Sequence, residues 1–264
     1  MQIERGQLAA IPSAAVDSGP PLLVLSGLYP TTGVTNDGIV RSTVAPLRHL
    51  SVGRKIFVRN RWSGLQATLT MRDLADGYAR AIRAGFDSPV DVVGLSTGGS
   101  IAQQLAADHP DAVRRLVLIS SACRLAPYGR QVQARVAALL RDGHLRQGGH
   151  SDRRRDSTAR AAHSKPRRRL GKREPGPWHP ERRAGPHCLP RREDNFDLAQ
   201  CPNTIQAPSL IIMGEQDRFY SAKLARETAA LIPNSHLMLI ARRGHLTAAA
   251  SNRAKAPVAG FLAS

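Results

Sequence analysis

Aromatic residues are scarce in this chain, 4% of 264, with two tryptophans, four tyrosines and five phenylalanines. Acidic residues are scarce too: 20 stand against 38 lysines and arginines, for a formal net charge of +18. The three cysteines, Cys123, Cys188 and Cys201, are an odd set without C-x-x-C spacing. That pattern argues against a disulfide framework or a zinc ribbon and for free thiols in a reducing compartment. No apolar run is long enough to span a bilayer; the longest, PPLLVLSGLY, has half of the roughly 20 residues required. The opening MQIERGQLAA lacks the charged start and apolar run of a secretory leader. A cytoplasmic, soluble protein with no membrane partner is the expectation.

The sharpest scarcity is local. From His144 to Arg192 the chain has no Val, Ile, Phe, Met or Tyr. These 49 residues hold six prolines, five glycines, five of the nine histidines, and 15 Lys/Arg against four Asp/Glu. They carry +11 of the total charge, so the remainder is only mildly basic. Leu145, Leu170, Trp178, Cys188 and Leu189 are too few to offset the entropy of ordering such a stretch, which is expected to be disordered. Beyond Trp178 no aromatics interleave the arginines, which argues against a specific nucleic-acid module. Non-specific polyanion binding through charge alone stays open. His163, His179, His187 and Cys188 lack metal-ligand spacing, so no metal site is expected. The segment has two explanations: a genuine basic insertion, or a pair of compensating frameshifts in the gene or its recorded sequence. Out-of-frame GC-rich coding sequence gives this composition, and ordinary patterning resumes near Glu193–Asp194. Amphipathic, Leu/Val/Ile-rich helices in one of the other two reading frames of the DNA would decide for the second.

Elsewhere short apolar runs alternate with helical patterns. Leu22–Ser26, Ile56–Val58, Val90–Gly94, Leu116–Ser120, Leu210–Met213 and Leu237–Ile240 read as strands buried on both faces. MRDLADGYARAIRAGF reads as a helix with Leu74, Tyr78 and Ile82 inward and Asp73 as N-cap. GGSIAQQLAADHP puts Ile101 and Leu105 on one face, and SAKLARETAALIPNS does the same with Leu224, Thr228, Leu231 and Ile232. QVQARVAALLRDG reads as a helix with Val132, Val136, Leu139 and Leu140 together. Arg114 and Arg115 read as a solvated strand entrance. Strands alternating with helices imply a mostly parallel sheet covered on both faces.

DVVGLSTGGS holds the chemistry. Gly94-Leu95-Ser96-Thr97-Gly98 is a G-x-S-x-G sequence between a buried strand and a helix, the context a nucleophile elbow requires. Such a turn lifts Ser96 Oγ above the sheet and aims the Thr97 N–H at a developing oxyanion. A serine nucleophile needs a base, and the base an orienting acid. Asp217 follows a strand and His245 follows the next, which gives the order Ser, Asp, His. Alone, Asp217 would suit a helix cap or surface turn and His245 a loop; the three together favour catalysis. Glu215 is the competing acid, ranked second because it comes earlier in the turn.

On these residues the chain resembles the α/β-hydrolase superfamily, in particular small serine hydrolases such as esterases, enol-lactonases and cofactor-free haloperoxidases. GLSTGGSIAQQLAADHPDAVRRLVLIS is similar to that group's elbow, helix and next strand, IQAPSLIIMGEQDRFYS to its acid strand, and RRGHLT to its histidine loop. The resemblance covers about residues 20–143 and 194–264. It implies Ser96 as nucleophile, His245 as general base and then acid, and Asp217 as orienter. Many members have His-Gly in the oxyanion loop where this chain has Ser26-Gly27-Leu28. The hole needs a backbone N–H, which Leu28 can supply beside Thr97, while Ser26 is expected to hydrogen-bond within the loop. A serine nucleophile argues against the dehalogenase and epoxide-hydrolase relatives, which use Asp.

The expectation is therefore an α/β-hydrolase fold: core residues 1–127 and 195–264, interrupted by a cap-position insertion at 128–194. The expected reaction is hydrolysis of a small carboxylic ester or lactone through an acyl-enzyme, with no cofactor. Carbon–carbon bond hydrolysis or perhydrolysis on the same triad remains open, as does a catalytically impaired fold that binds polyanions.

Overall fold

Runs such as Pro21–Leu25 and Val113–Ile119 pack apolar side chains on alternate sides, which suits a strand covered on both faces. In the computed structural model they lie side by side in one eight-stranded sheet. The structure describes residues 2–8, 11–29, 33–34, 36–47, 53–61, 69–87, 89–141, 193, 195–200, 202 and 204–264. The expectations for 144–192, including its disorder and its histidines, lie outside these residues.

The strands are β1 (Glu4–Leu8), β2 (Ile11–Val16), β3 (Pro21–Leu25), β4 (Lys55–Arg59), β5 (Val90–Leu95), β6 (Val113–Ile119), β7 (Ser209–Gly214) and β8 (Ser235–Ile240). Their order in the sheet is β1-β2-β4-β3-β5-β6-β7-β8, antiparallel between β1, β2 and β4 and parallel beyond. The six expected strands are the last six of the eight. The β1–β2 hairpin was not expected, because β1 is almost wholly exposed and has no apolar alternation to announce it. One feature of the six needs correction: β8 is an edge strand, half-buried along most of its length, and only Ile240 is fully covered.

Helices α2 (Met71–Gly85), α3 (Thr97–Asp108), α4 (Pro127–Arg141) and α5 (Ala222–Leu231) cover one face; α1 (Asp37–Val44) and α6 (Asn252–Ala263) cover the other. Alternate strand residues sort accordingly. Leu23, Leu25, Leu116 and Leu118 pack with Leu74, Tyr78, Ile82, Ile101 and Leu105. Val24, Val93, Val117 and Ile119 pack with Val40, Val44, Val258 and Leu262. Asp73 is not the N-cap of α2. Thr70 is, its Oγ1 accepting from the Asp73 N–H, and Asp73 sits three residues on, its carboxylate accepting from the Thr70 N–H in a reciprocal capping box. On α4 Gly129, Gln133 and Ala137 are buried, whereas Val132, Val136 and Leu139 are half-buried and the Leu140 side chain lies outside the described residues; the Gln133 amide reaches a buried carboxylate.

At the N-terminal end of β5 the side chain of Asp91 is fully buried and accepts from Arg54 (2.7 Å) and Arg114 (2.7 and 2.9 Å), with Arg115 at 3.7 Å. Arg114 and Arg115 are thus counter-ions of a buried carboxylate, not simply solvated. Burial alone would raise the Asp91 carboxyl, but the hydrogen bonds from Arg114 and Arg54 outweigh it and hold it below its ordinary value. Cys123 is a buried free thiol, and burial pushes its pKa up, so it packs as a small inert side chain. Cys188 and Cys201 lie outside the described residues. Among the described residues no helix is long and apolar enough to cross a membrane.

Candidate active site

The C-terminal ends of β3, β5, β7 and β8 meet at one rim of the sheet. Ser96 sits there between β5 and α3 with φ 51° and ψ −123°, a conformation side chains other than glycine rarely adopt. The neighbours explain how it is kept. A Cβ on Gly94 would collide with Gly99 and lie 2.8 Å from the Gly98 carbonyl oxygen, and one on Gly98 would run into the Leu25 carbonyl. The two glycines of G-x-S-x-G therefore let strand and helix backbones pass close enough to force the turn.

His245 follows β8, and Asp217 follows β7. The imidazole Nε2 lies 2.9 Å from Ser96 Oγ, and Nδ1 lies 2.9 Å from Asp217 Oδ2. The hydrogen-bond pattern assigns the proton on Nδ1, which donates to the carboxylate, and leaves Nε2 to accept from the Ser96 hydroxyl. Asp217 is itself held: its Oδ1 accepts from the Phe219 N–H (2.8 Å) and the Tyr220 N–H (3.2 Å). The ring of Phe219 stacks on His245 at 4.5 Å between centroids, and Ser120 Oγ donates to the His245 carbonyl at 2.7 Å. His245 is 7% exposed and Asp217 3%, so their interaction is little screened by water, while Ser96 is half-buried. Glu215 faces solvent, its N–H donating to the Ile240 carbonyl.

On the opposite side of the serine, the loop after β3 comes close: a Cβ on Gly27 would lie 3.4 Å from that of Ser96. Leu28 follows directly and packs its side chain on the core, and Thr97 is buried at the first turn of α3. Ser26 departs from expectation. Its N–H donates to the Arg59 carbonyl at 2.9 Å, but its buried hydroxyl has no partner among the described residues.

One buried group near the site had no signal in the sequence. Glu193 is 1% exposed and accepts from Thr97 Oγ1 (2.8 Å), Ser100 Oγ (3.0 Å), Gln133 Nε2 (2.8 Å) and the Tyr220 hydroxyl. It follows directly on the segment without helical or strand periodicity. Its partners come from three other parts of the chain, so no local pattern could have marked it. Among the described residues no group of His, Cys, Asp and Glu could hold a metal ion.

A mostly parallel sheet covered by helices on both faces, with a serine elbow after β5 and Asp and His after later strands, defines an α/β-hydrolase fold. A model of the alpha/beta hydrolase family matches residues 22–259, and the chain belongs to that family. Among curated proteins it is similar to a pimeloyl-[acyl-carrier protein] methyl ester esterase of Neisseria meningitidis, 51% identical over 50 residues, which are 19% of this chain and 20% of that one. The chain thus matches only about a fifth of the length of that relative. Among solved structures, the enol-lactonase of Burkholderia xenovorans superposes with a TM-score of 0.71 at 19% identity, covering 99% of this chain and 100% of that one. A thermophilic esterase of Thermogutta terrifontis gives 0.70 at 20% identity, covering 100% and 98%. Likeness at such identities speaks for the fold.

Proposed function

We propose that the chain is a serine hydrolase that cleaves a small carboxylic ester or lactone through an acyl-enzyme, with no cofactor. The observation that carries the reading is the continuous hydrogen-bonded line from Ser96 to His245 to Asp217, 2.9 Å at each step, on a strained elbow. His245 accepts the hydroxyl proton as Ser96 Oγ attacks the ester carbonyl, and Asp217 keeps the ring oriented and stabilises its charged form. The N–H groups of Leu28 and Thr97 would hold the oxyanion, a role supported by the approach of Gly27 to Ser96 and by Thr97 opening α3. The attack forms the Ser96 Oγ–C bond, and as the tetrahedral oxyanion collapses the substrate C–O bond breaks and His245 returns the proton to the leaving alcohol, which leaves the acyl-enzyme. Water repeats the cycle and frees Ser96. The division into core residues 1–127 and 195–264 around an insertion at 128–194 belongs to the same proposal, supported by β3 to β6 and β7 to β8 completing one sheet.

Reaction with a fluorophosphonate, followed by mapping of the labelled peptide, tests the class of chemistry, and p-nitrophenyl esters of graded chain length test the substrate. Label on Ser96 and turnover of at least one ester are expected. Retention on a polyanion column with no labelling would overturn the reading in favour of a binding protein.

A further inference from the structure

A carboxylate buried without a counter-ion needs hydrogen bonds in its place, since its desolvation is otherwise unrelieved. Glu193 makes no ion pair among the described residues. Instead four neutral donors, two on each oxygen, fill the four acceptor positions a carboxylate offers. These donors come from three separate elements: Thr97 and Ser100 on α3, Gln133 on α4, and Tyr220 in the turn after Asp217.

Two of the four also serve the site through their backbones. Thr97, whose hydroxyl donates to Glu193 Oε2, carries the N–H assigned to the oxyanion. Tyr220, whose hydroxyl donates to Oε1, uses its own N–H to hold Asp217 Oδ1 and lays its ring along His245 at 5.8 Å and 19°. We propose that Glu193 is a positioning residue: through Thr97 and Tyr220 it sets the spacing between the oxyanion donor and the Asp217–His245 pair. This rests on the serine-hydrolase reading above. Burial, reinforced by the adjacent carboxylate, pushes the Tyr220 phenol well above its ordinary value, so the hydroxyl stays a donor throughout the working range of such an enzyme. Oxyanion donors act by being in place before charge develops, and a displacement of about an ångström can cost on the order of a hundredfold in rate. Gln133 adds the first turns of the chain leading into the insertion to the same node, which ties α4 to the site it borders.

The test uses the full chain with Glu193→Gln, Thr97→Val and the double variant, each assayed on a p-nitrophenyl ester that the wild type turns over, alongside thermal melting. Thr97→Val keeps the backbone N–H and removes only the tether. Each single variant is expected to lower kcat about tenfold or more while KM stays within about threefold. The double variant should fall little below the worse single one, because both break one connection. A folded Glu193→Gln variant with kcat within about twofold of wild type, or losses that multiply, would overturn the proposal. If Glu193→Gln does not fold, Thr97→Val decides alone, and unchanged kcat there overturns it. A wild type that neither labels nor turns over ester fails the parent reading instead, whereas a reactive wild type with an indifferent Glu193→Gln fails only this one.

Discussion

At the rim of the sheet the residues after β5, β6, β7 and β8 answer one another, whereas at the ends of β3 and β4 Ser26 and Arg59 keep buried polar atoms without a partner among the described residues. On the first side Ser96, His245, Asp217 and Ser120 form a closed set of hydrogen bonds. On the second, Ser26 Oγ is buried and Arg59, 1% exposed, bonds through Nη1 to the Ile11 and Pro12 carbonyls, while Ser26 Oγ and Arg59 Nε and Nη2 have no partner among the described residues. The difference follows from what each side supplies. Proton transfer needs side chains at fixed distances, so any slack is lost rate. On the proposed reading the loop after β3 supplies backbone N–H groups to an oxyanion, and its side chains are free of that demand.

The largest break comes from removing the nucleophile. Ser96→Ala is expected to lower ester turnover by roughly a millionfold, as loss of a triad serine does elsewhere, without changing the melting temperature by more than a few degrees. Residual activity above about a tenth of wild type would end the assignment. Next come the two acids. Asp217→Asn should cost roughly ten-thousandfold in kcat, and exposed Glu215→Gln nearly nothing. The reverse pattern would move the orienting role to Glu215.

The far end of β5 tests stability rather than rate. The Asp91 carboxyl is held below its ordinary value in the folded state, so its contribution is present above the unfolded value and lost as pH falls through the folded one. Acid titration of the melting temperature should therefore show a decline below about pH 4 that is shallower in Asp91→Asn. At neutral pH that variant, which strands the arginines, should lose about 3 kcal/mol. The smallest effect is expected on the unsatisfied side. Burial lowers the Arg59 guanidinium to about 10, a measure of how poorly it is accommodated. Arg59→Met should be neutral or stabilising by roughly 1 kcal/mol in urea unfolding. A loss above about 2 kcal/mol would mean that the guanidinium is needed where it lies.

Legibility in the sequence followed the range of the interactions. The parallel strands announce themselves because a strand buried on both faces must be apolar throughout, as Val113–Ile119 largely is. The elbow is legible because its steric demand falls on residues two before and two after Ser96. Placement in the turn favours Asp217 over Glu215, and in the structure Asp217 Oδ2 lies 2.9 Å from His245 Nδ1. What escaped was set by distant partners. Asp73 looks like a cap until Thr70 is seen to share the task. Arg114 looks solvated until Asp91 on the neighbouring strand is placed beside it. Glu193 draws on residues 27, 60, 93 and 96 positions away. Nothing in a local window encodes such a meeting.

Ser96 and His245 are 149 positions apart, and His245 hangs from β8, the last strand and an edge of the sheet. On the proposed reading, synthesis delivers the nucleophile 149 residues before its base, so a nascent chain carries an idle serine until β8 docks along β7. On the proposed reading, a phosphonate that reacts only with an activated serine would tally finished molecules and pass over partly made ones. The site then serves as a stopwatch for its own assembly: pulse-labelling during refolding would time the closing of the sheet's final edge.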